Sequence, residues 1–136
     1  MDTELNIVFN ENTITNPFIK NAVSYQEIDK LESIYTKIYI GDLLNYIPVN
    51  EVLVYLTKIR TKLVPVGQIV IEEYDQHEVC LAVINESINS PDFNNIIRLK
   101  QQILSMLDTI DILTKSGYRI YQKDVDALKH SIVATV

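Results

Sequence analysis

Apolar and polar positions along this chain switch between a period near two and a period near 3.6, and the switches mark out its elements. Leu5-Asn6-Ile7-Val8-Phe9 reads as a short buried strand, closed by the loop signals Asn10, Asn12, Thr15, Asn16 and Pro17. A second extended piece is expected at Ile19–Val23. Ser24-Tyr25-Gln26-Glu27 then has capping-box spacing, with Val23 and Ile28 placed as a hydrophobic staple, so a short helix is expected from Tyr25 to Ser33. Lys37–Ile40 favours strand. After Gly41, the segment Asn50–Leu63 puts Val52, Tyr55, Leu56, Ile59 and Leu63 on one helical face, with Asn50 as the expected N-cap.

Pro65 and Gly67 stop that helix, and Gln68–Tyr74 reads as a strand apolar on both faces at its start, as a central parallel strand is. Helices are therefore expected on both faces of the sheet. The continuous apolar run within His77–Ser87 suits either a buried helix or a strand, and helix is the reading taken. Ser90 and Pro91 open what reads as the longest element, a helix carrying Ile96, Leu99, Ile103, Leu107 and Ile110 down to Gly117. Tyr118–Val125 and His130–Val136 follow as strands around Asp126–Lys129, a connection too short for a crossover and suited to an antiparallel hairpin. The order predicts an α/β fold, an open and mostly parallel sheet with an antiparallel edge.

Composition narrows this picture. At 136 residues the chain is read as a single domain over 1–136. No apolar run reaches the roughly 18 residues of a membrane span. The start MDTELNIVFNEN has neither the basic opening nor the apolar stretch of a secretory leader, and Cys80 is the sole cysteine, which points to a reducing, cytoplasmic setting. The net charge is −6, with 12 Lys and Arg scattered along the sequence, which argues against a grip on nucleic-acid phosphates. Abundant Ile, Asn, Lys and Tyr suit an AT-rich genome, such as that of a phage, with the host cytoplasm or virion as the location in that case.

Ile38-Tyr39-Ile40-Gly41-Asp42-Leu43-Leu44-Asn45-Tyr46-Ile47-Pro48, an amphipathic helix, and then Leu63-Val64-Pro65-Val66-Gly67-Gln68-Ile69-Val70-Ile71 follow one another in this order. This run resembles the second half of class I S-adenosylmethionine-dependent methyltransferases, which reads I-hydrophobic-x-x-x-L-E-H-I-P, helix, L-K-P-G-G-x-hydrophobic-V-I. Ser116-Gly117-Tyr118-Arg119-Ile120 and the closing hairpin are similar to that family's last helix and reversed final strand. The resemblance covers roughly residues 36–136. It implies a Rossmann-like methyltransferase fold with S-adenosylmethionine as cofactor, bound near Asn10 and Asp42 at the strand ends.

The first half departs from that pattern. The family's glycine-rich turn falls on Val8 and Asn10, and the acidic residue that holds the ribose falls on Val23. Leu5 and Ile38 lie too close for three βα units of about 30 or more residues each, so at least one strand or helix is trimmed. The family's Glu-His pair falls on Asn45 and Tyr46, and no catalytic residue is assigned.

Other candidate chemistry is sparse. Glu72, Glu73, Asp75, His77 and Glu78 read as an exposed acidic loop rather than a metal site. Cys80 reads as a small core residue, and His130 as half-buried structure in the last strand. The tyrosines read as amphipathic packing. Two functions follow. One is a degenerate, non-catalytic binding or assembly module, without cofactor and with a filled crevice. The other is a small active methyltransferase with a crevice open beside Asn10, Asp42 and the acidic loop. A trimmed front half leaves the first or second strand as a sheet edge, which predicts self-association or a docked protein partner there.

Overall fold

The computed structural model describes residues 3–32 and 34–136. Six strands form one sheet: β1 (Glu4–Val8), β2 (Ala22–Ser24), β3 (Tyr35–Gly41), β4 (Leu63–Tyr74), β5 (Arg119–Asp126) and β6 (Lys129–Thr135), in the order β2-β1-β3-β4-β6-β5. β2, β1, β3 and β4 run parallel; β6 returns antiparallel against β4, and β5 pairs with β6 as a hairpin. Four helices accompany it: α1 (Val49–Arg60), α2 (Gln76–Ile84), α3 (Ser90–Ile97) and α4 (Met106–Lys115). The α/β class, the mostly parallel sheet and the closing hairpin agree with the expectation.

Leu5 and Ile7, Ile38 and Ile40, Ile69 and Ile71, and Ile132 and Ala134 alternate along their strands onto one face. There they pack against Val52, Leu56 and Ile59 of α1 and Leu113 of α4 in the main core. The opposite face holds only a small cluster of Ile19, Tyr39 and Val70, joined by Ile14 and Val133, with no helix residue in it. Helices on both faces are thus not found among the described residues. The register explains this, since Lys37, Gln68, Glu72 and Ser131 share that second face and keep it polar.

The front half departs most from a regular α/β layout. Residues 9–21 join the parallel strands β1 and β2 without a helix. The second extended piece shortens to β2, because Ile19 is drawn into the second cluster. The expected helix after Ser24 is a 3₁₀ turn over Tyr25–Lys30, in which Ser24 accepts from the Gln26 amide at 3.4 Å. Its expected end at Ser33 lies outside the described residues.

Further boundaries move for local reasons. α1 starts at Val49 after Pro48, so Asn50 sits inside its first turn and is not the cap. β4 begins at Leu63, with Pro65–Gly67 forming an irregularity against β3 in which Val66 has φ +57°. The long helix expected up to Gly117 is two helices. α3 is capped by Asn89 and Asp92 in a reciprocal box, and α4 by Ser105. Between them Leu99 takes φ +63°, and the Gln102 side chain donates to the carbonyls of Leu44 and Ile47 at 2.6 and 2.7 Å. These bonds pull the connection onto the loop after β3, so α1 and β4, at 12 residues each, are the longest elements. No helix among the described residues is long and apolar enough to cross a membrane.

Candidate functional site

Open α/β sheets bind ligands beyond the carboxyl ends of their parallel strands, because loops and free backbone groups converge there. In this chain that rim is formed by Phe9 after β1, Tyr25 after β2, the Asp42–Ile47 turn after β3 and Tyr74 at the end of β4. Between the first three strand ends stands an aromatic column. The Phe9 ring stacks on Tyr25 at 4.7 Å and on Tyr46 at 5.3 Å, and Tyr25 meets Tyr55 of α1 at 6.0 Å. The Tyr55 hydroxyl donates to the Tyr25 carbonyl at 2.8 Å, which fixes the column to the helix layer. These tyrosines are packing residues, as their spread along the sequence suggested, yet they pack at the rim.

The loop behind the column satisfies its own polar groups. Thr13 Oγ1 accepts from the amides of Phe9 and Asn10 at 3.0 and 3.1 Å, and Asn10 Oδ1 accepts from Asn12 at 2.8 Å. Asn6, buried in β1, exchanges hydrogen bonds with the backbone of Asn16 and donates to the Ile19 carbonyl. Asp42 Oδ1 accepts from the Ile14 amide at 2.8 Å. Gly41 makes this docking feasible, because at its φ of +53° a Cβ would lie 2.1 Å from the Ile14 carbonyl oxygen. Both residues proposed from sequence to touch a cofactor are therefore tied to the loop, Asn10 through its own turn and Asp42 through Ile14.

Beside the column lies a polar crevice of about 490 Å³, lined among others by Asp42, Tyr46, Tyr74, Arg98, Lys100 and Lys129. Asp42 lines it and Asn10 does not. Lys129 meets here two cations, Arg98 and Lys100, from a segment far from it in the sequence. Lys100 Nζ stands 5.6 Å from the Tyr46 ring centre and 5.2 Å from that of Tyr74, and Lys129 Nζ is 5.0 Å from Tyr74. Lys100 also donates to the Ile96 carbonyl. Burial lowers the Lys100 pKa and Lys129 lowers it further, against the pull of Asp42. Burial raises Asp42, more than the Ile14 amide and the two lysines lower it. Tyr46 is pushed up to about 12 by burial and by Asp42.

The residues read as an exposed acidic loop take separate paths. Glu72 faces the second side of the sheet, where its carboxylate accepts from the Tyr39 hydroxyl at 2.8 Å. Glu73 and Asp75 turn into the core, and His77 stays exposed on α2. His130 is fully buried between the two acids, with Nε2 2.7 Å from Glu73 Oε1 and Nδ1 2.7 Å from Asp75 Oδ1. With both acids ionised, each ring nitrogen donates a proton to a carboxylate, and the group is an imidazolium. Burial alone would lower its pKa, but the two carboxylates outweigh burial and hold it above the ordinary value. Burial likewise acts to raise Asp75, and hydrogen bonds from the Glu78 amide, His130 and the Met106 amide outweigh it and hold its pKa low.

Thr109 of α4 donates to Glu73 Oε1 and Asn45 Nδ2 to its Oε2, so the network ties both strands of the antiparallel pair to α4 and to the turn after β3. With both ring nitrogens committed to carboxylates, His130 has no lone pair for a metal, and no metal-holding group of such side chains occurs among the described residues. Sequence reading missed this network, although the β4–β6 register that opposes Glu73 to His130 could have pointed to it. Cys80 corrects the other way. Val79 and Ala82 are the buried positions of α2, which leaves Cys80 exposed.

Comparison with known structures places this architecture. A SAM-dependent methyltransferase from Methanosarcina mazei superposes with a TM-score of 0.66 at 11% identity, over 98% of this chain and 92% of that one. The fold is that of the class I methyltransferases. Human N-acetylserotonin methyltransferase, solved in complex with SAM, gives 0.65 at 15% identity over 96% of this chain. The pyocyanin biosynthetic protein PhzM gives 0.64 at 14% over 85%. This chain spans 39% of the human enzyme's length and 34% of PhzM's. No family model and no curated protein matches the sequence. As a methyltransferase fold, the molecule keeps its rear half and is shortened in front, where a loop and a 3₁₀ turn make the connections.

Proposed function

We propose that this chain is a methyltransferase-fold module that has lost S-adenosylmethionine chemistry and works by binding. The observation that carries this reading is the state of the turn after β1. In the family the adenosyl group rests where that turn leaves backbone amides and empty space. Here the Phe9 and Asn10 amides donate to Thr13, and the Phe9 ring fills the space between Tyr25 and Tyr46. β2 ends in Ser24, which caps the following turn, so no carboxylate stands there for a ribose. The crevice beside the column is also unsuited to a sulfonium, since three cations line it against the carboxylates of Asp42 and Glu11.

As a binding module it offers sheet edges at β2 and β5. β2 is three residues long, whereas β5 runs for eight with most of its residues exposed, so strand addition by a protein partner or a second copy favours β5. Calorimetric titration with S-adenosylmethionine and its demethylated product tests the main reading. No saturable heat is expected with either at millimolar concentration, and a dissociation constant below about 1 mM would restore the enzyme reading. Light scattering across a wide concentration range tests the edge, and a strictly monomeric species would exclude self-pairing.

A further inference from the structure

We propose that the crevice lined by Arg98, Lys100 and Lys129 is a binding site for a small phosphate-bearing molecule. In a chain of net charge −6, three cations converge on one cavity, and none of the three has an ion-pair partner within 4 Å among the described residues. Lys100 and Lys129 bring their ammonium groups to the same Tyr74 ring, at 5.2 and 5.0 Å from its centre. Two like charges held over one ring repel, and the ring's attraction for each is modest, so an anion seated between them is the missing counterpart. Asp42 and Glu11 line the same crevice and offset part of this charge, but neither pairs with a cation within 4 Å, which leaves three cations against two carboxylates.

The connection between α3 and α4 delivers two of these cations. Between Arg98 and Lys100, Leu99 takes φ +63° while its side chain remains 63% exposed. Leu99 sits in a turn closed by the Lys100 amide donating to the Ile97 carbonyl at 3.0 Å, and this turn, in a connection held by Gln102 against Leu44 and Ile47, brings Arg98 and Lys100 to one crevice. The chemistry suits phosphate in particular. A guanidinium offers a planar fork to two phosphate oxygens, and two ammonium groups add point charges for a dianion. The cavity, about 490 Å³, lies within the range of small-molecule sites and is large enough for a nucleotide.

The test is calorimetric titration of the intact chain with inorganic pyrophosphate and, separately, with ADP, at about 50 mM salt. Saturable binding tighter than about 1 mM is expected, weakening at least about tenfold in Arg98→Gln and in Lys129→Gln. Thermal melting of both variants checks that the fold is kept. Equal affinity for the two probes would show that the phosphates carry the site, and tighter binding of ADP would add a role for its rings; either supports the proposal. Absence of saturable heat with both probes at about 5 mM, or binding that both variants retain in full, would overturn it. Tyr46 borders both the column and the crevice, so the variants separate this test from the S-adenosylmethionine titration: only pyrophosphate and ADP binding should weaken in Arg98→Gln and Lys129→Gln.

Discussion

Two halves of this sheet solve the same problem by different means. In the rear half, β3, β4, α1 and α4 bury interlocking isoleucines and leucines, and the strands are seated by apolar packing. In the front half, β1 and β2 are joined without a helix, and a buried asparagine, a buried threonine and Asp42 hold the connecting loop through its backbone. A parallel pair therefore does not need a crossover helix, provided side chains satisfy the loop's amides and carbonyls. The price is functional: amides bonded inside the loop are no longer free to hold a ligand.

The contrast can be broken from either side, and the rear half carries the largest effect. His130→Leu leaves the Glu73 and Asp75 carboxylates buried without their counter-charge, and breaking such a pair costs about 3–5 kcal/mol. Urea denaturation should show the midpoint falling accordingly, and an unchanged midpoint would mean that the acids are not ionised in the core. Gly41→Ala strikes the front. It forces a side chain into the left-handed region and into the Ile14 carbonyl, at a cost of about 2–3 kcal/mol. Hydrogen exchange should then quicken at Ile14 and Asn16 while α1 and α4 keep their protection. Uniform loss of protection would show that the halves are one cooperative unit.

A smaller effect comes from pH. The His130 pKa is raised on folding, so its stabilisation is complete below the ordinary histidine value of about 6.5 and is lost as pH rises through the folded value. The Asp75 pKa is lowered, so its contribution is present above about 4 and is lost as pH falls through the depressed value. Denaturation midpoints should thus decline as pH rises above about 6.5 through the folded His130 value. A profile flat over that interval would contradict the charged histidine. The smallest effect is a gain. Val66 is 73% exposed at φ +57°, so Val66→Gly relieves strain with little packing lost and should raise stability by about 0.5–1 kcal/mol.

The rear half was the legible one, because its signals are local. Alternation in Ile38–Ile40, the helical face of Val52, Leu56 and Ile59, and the short hairpin link each show within a dozen residues. Leu99, Ile103 and Leu107 kept helical spacing across a break that arises from Gln102 reaching back to Leu44 and Ile47, partners more than fifty positions away. The polar second face was hidden by Ile69-Val70-Ile71, which reads as doubly buried until the register shows Gln68, Val70 and Glu72 sharing one side. At the rim, missing glycines were visible at Val8 and Asn10, but that Phe9 would fill the gap depended on Tyr25 and Tyr46 arriving from other strands. The crevice cations were unreadable for the same reason, with Lys129 contributed by the final strand.

The Glu73–His130 pair also orders events in time. The two residues face each other in the ladder but are 57 positions apart in the chain. Until His130 has been synthesised and docked, β4 carries an acid among isoleucines, and its apolar face can close only by leaving that charge unmatched. The helices and loop turns rest on partners close in the sequence, whereas the β4–β6 ladder needs the closing hairpin. A ribosome-bound product ending before residue 130 should therefore remain a substrate for proteases and chaperones.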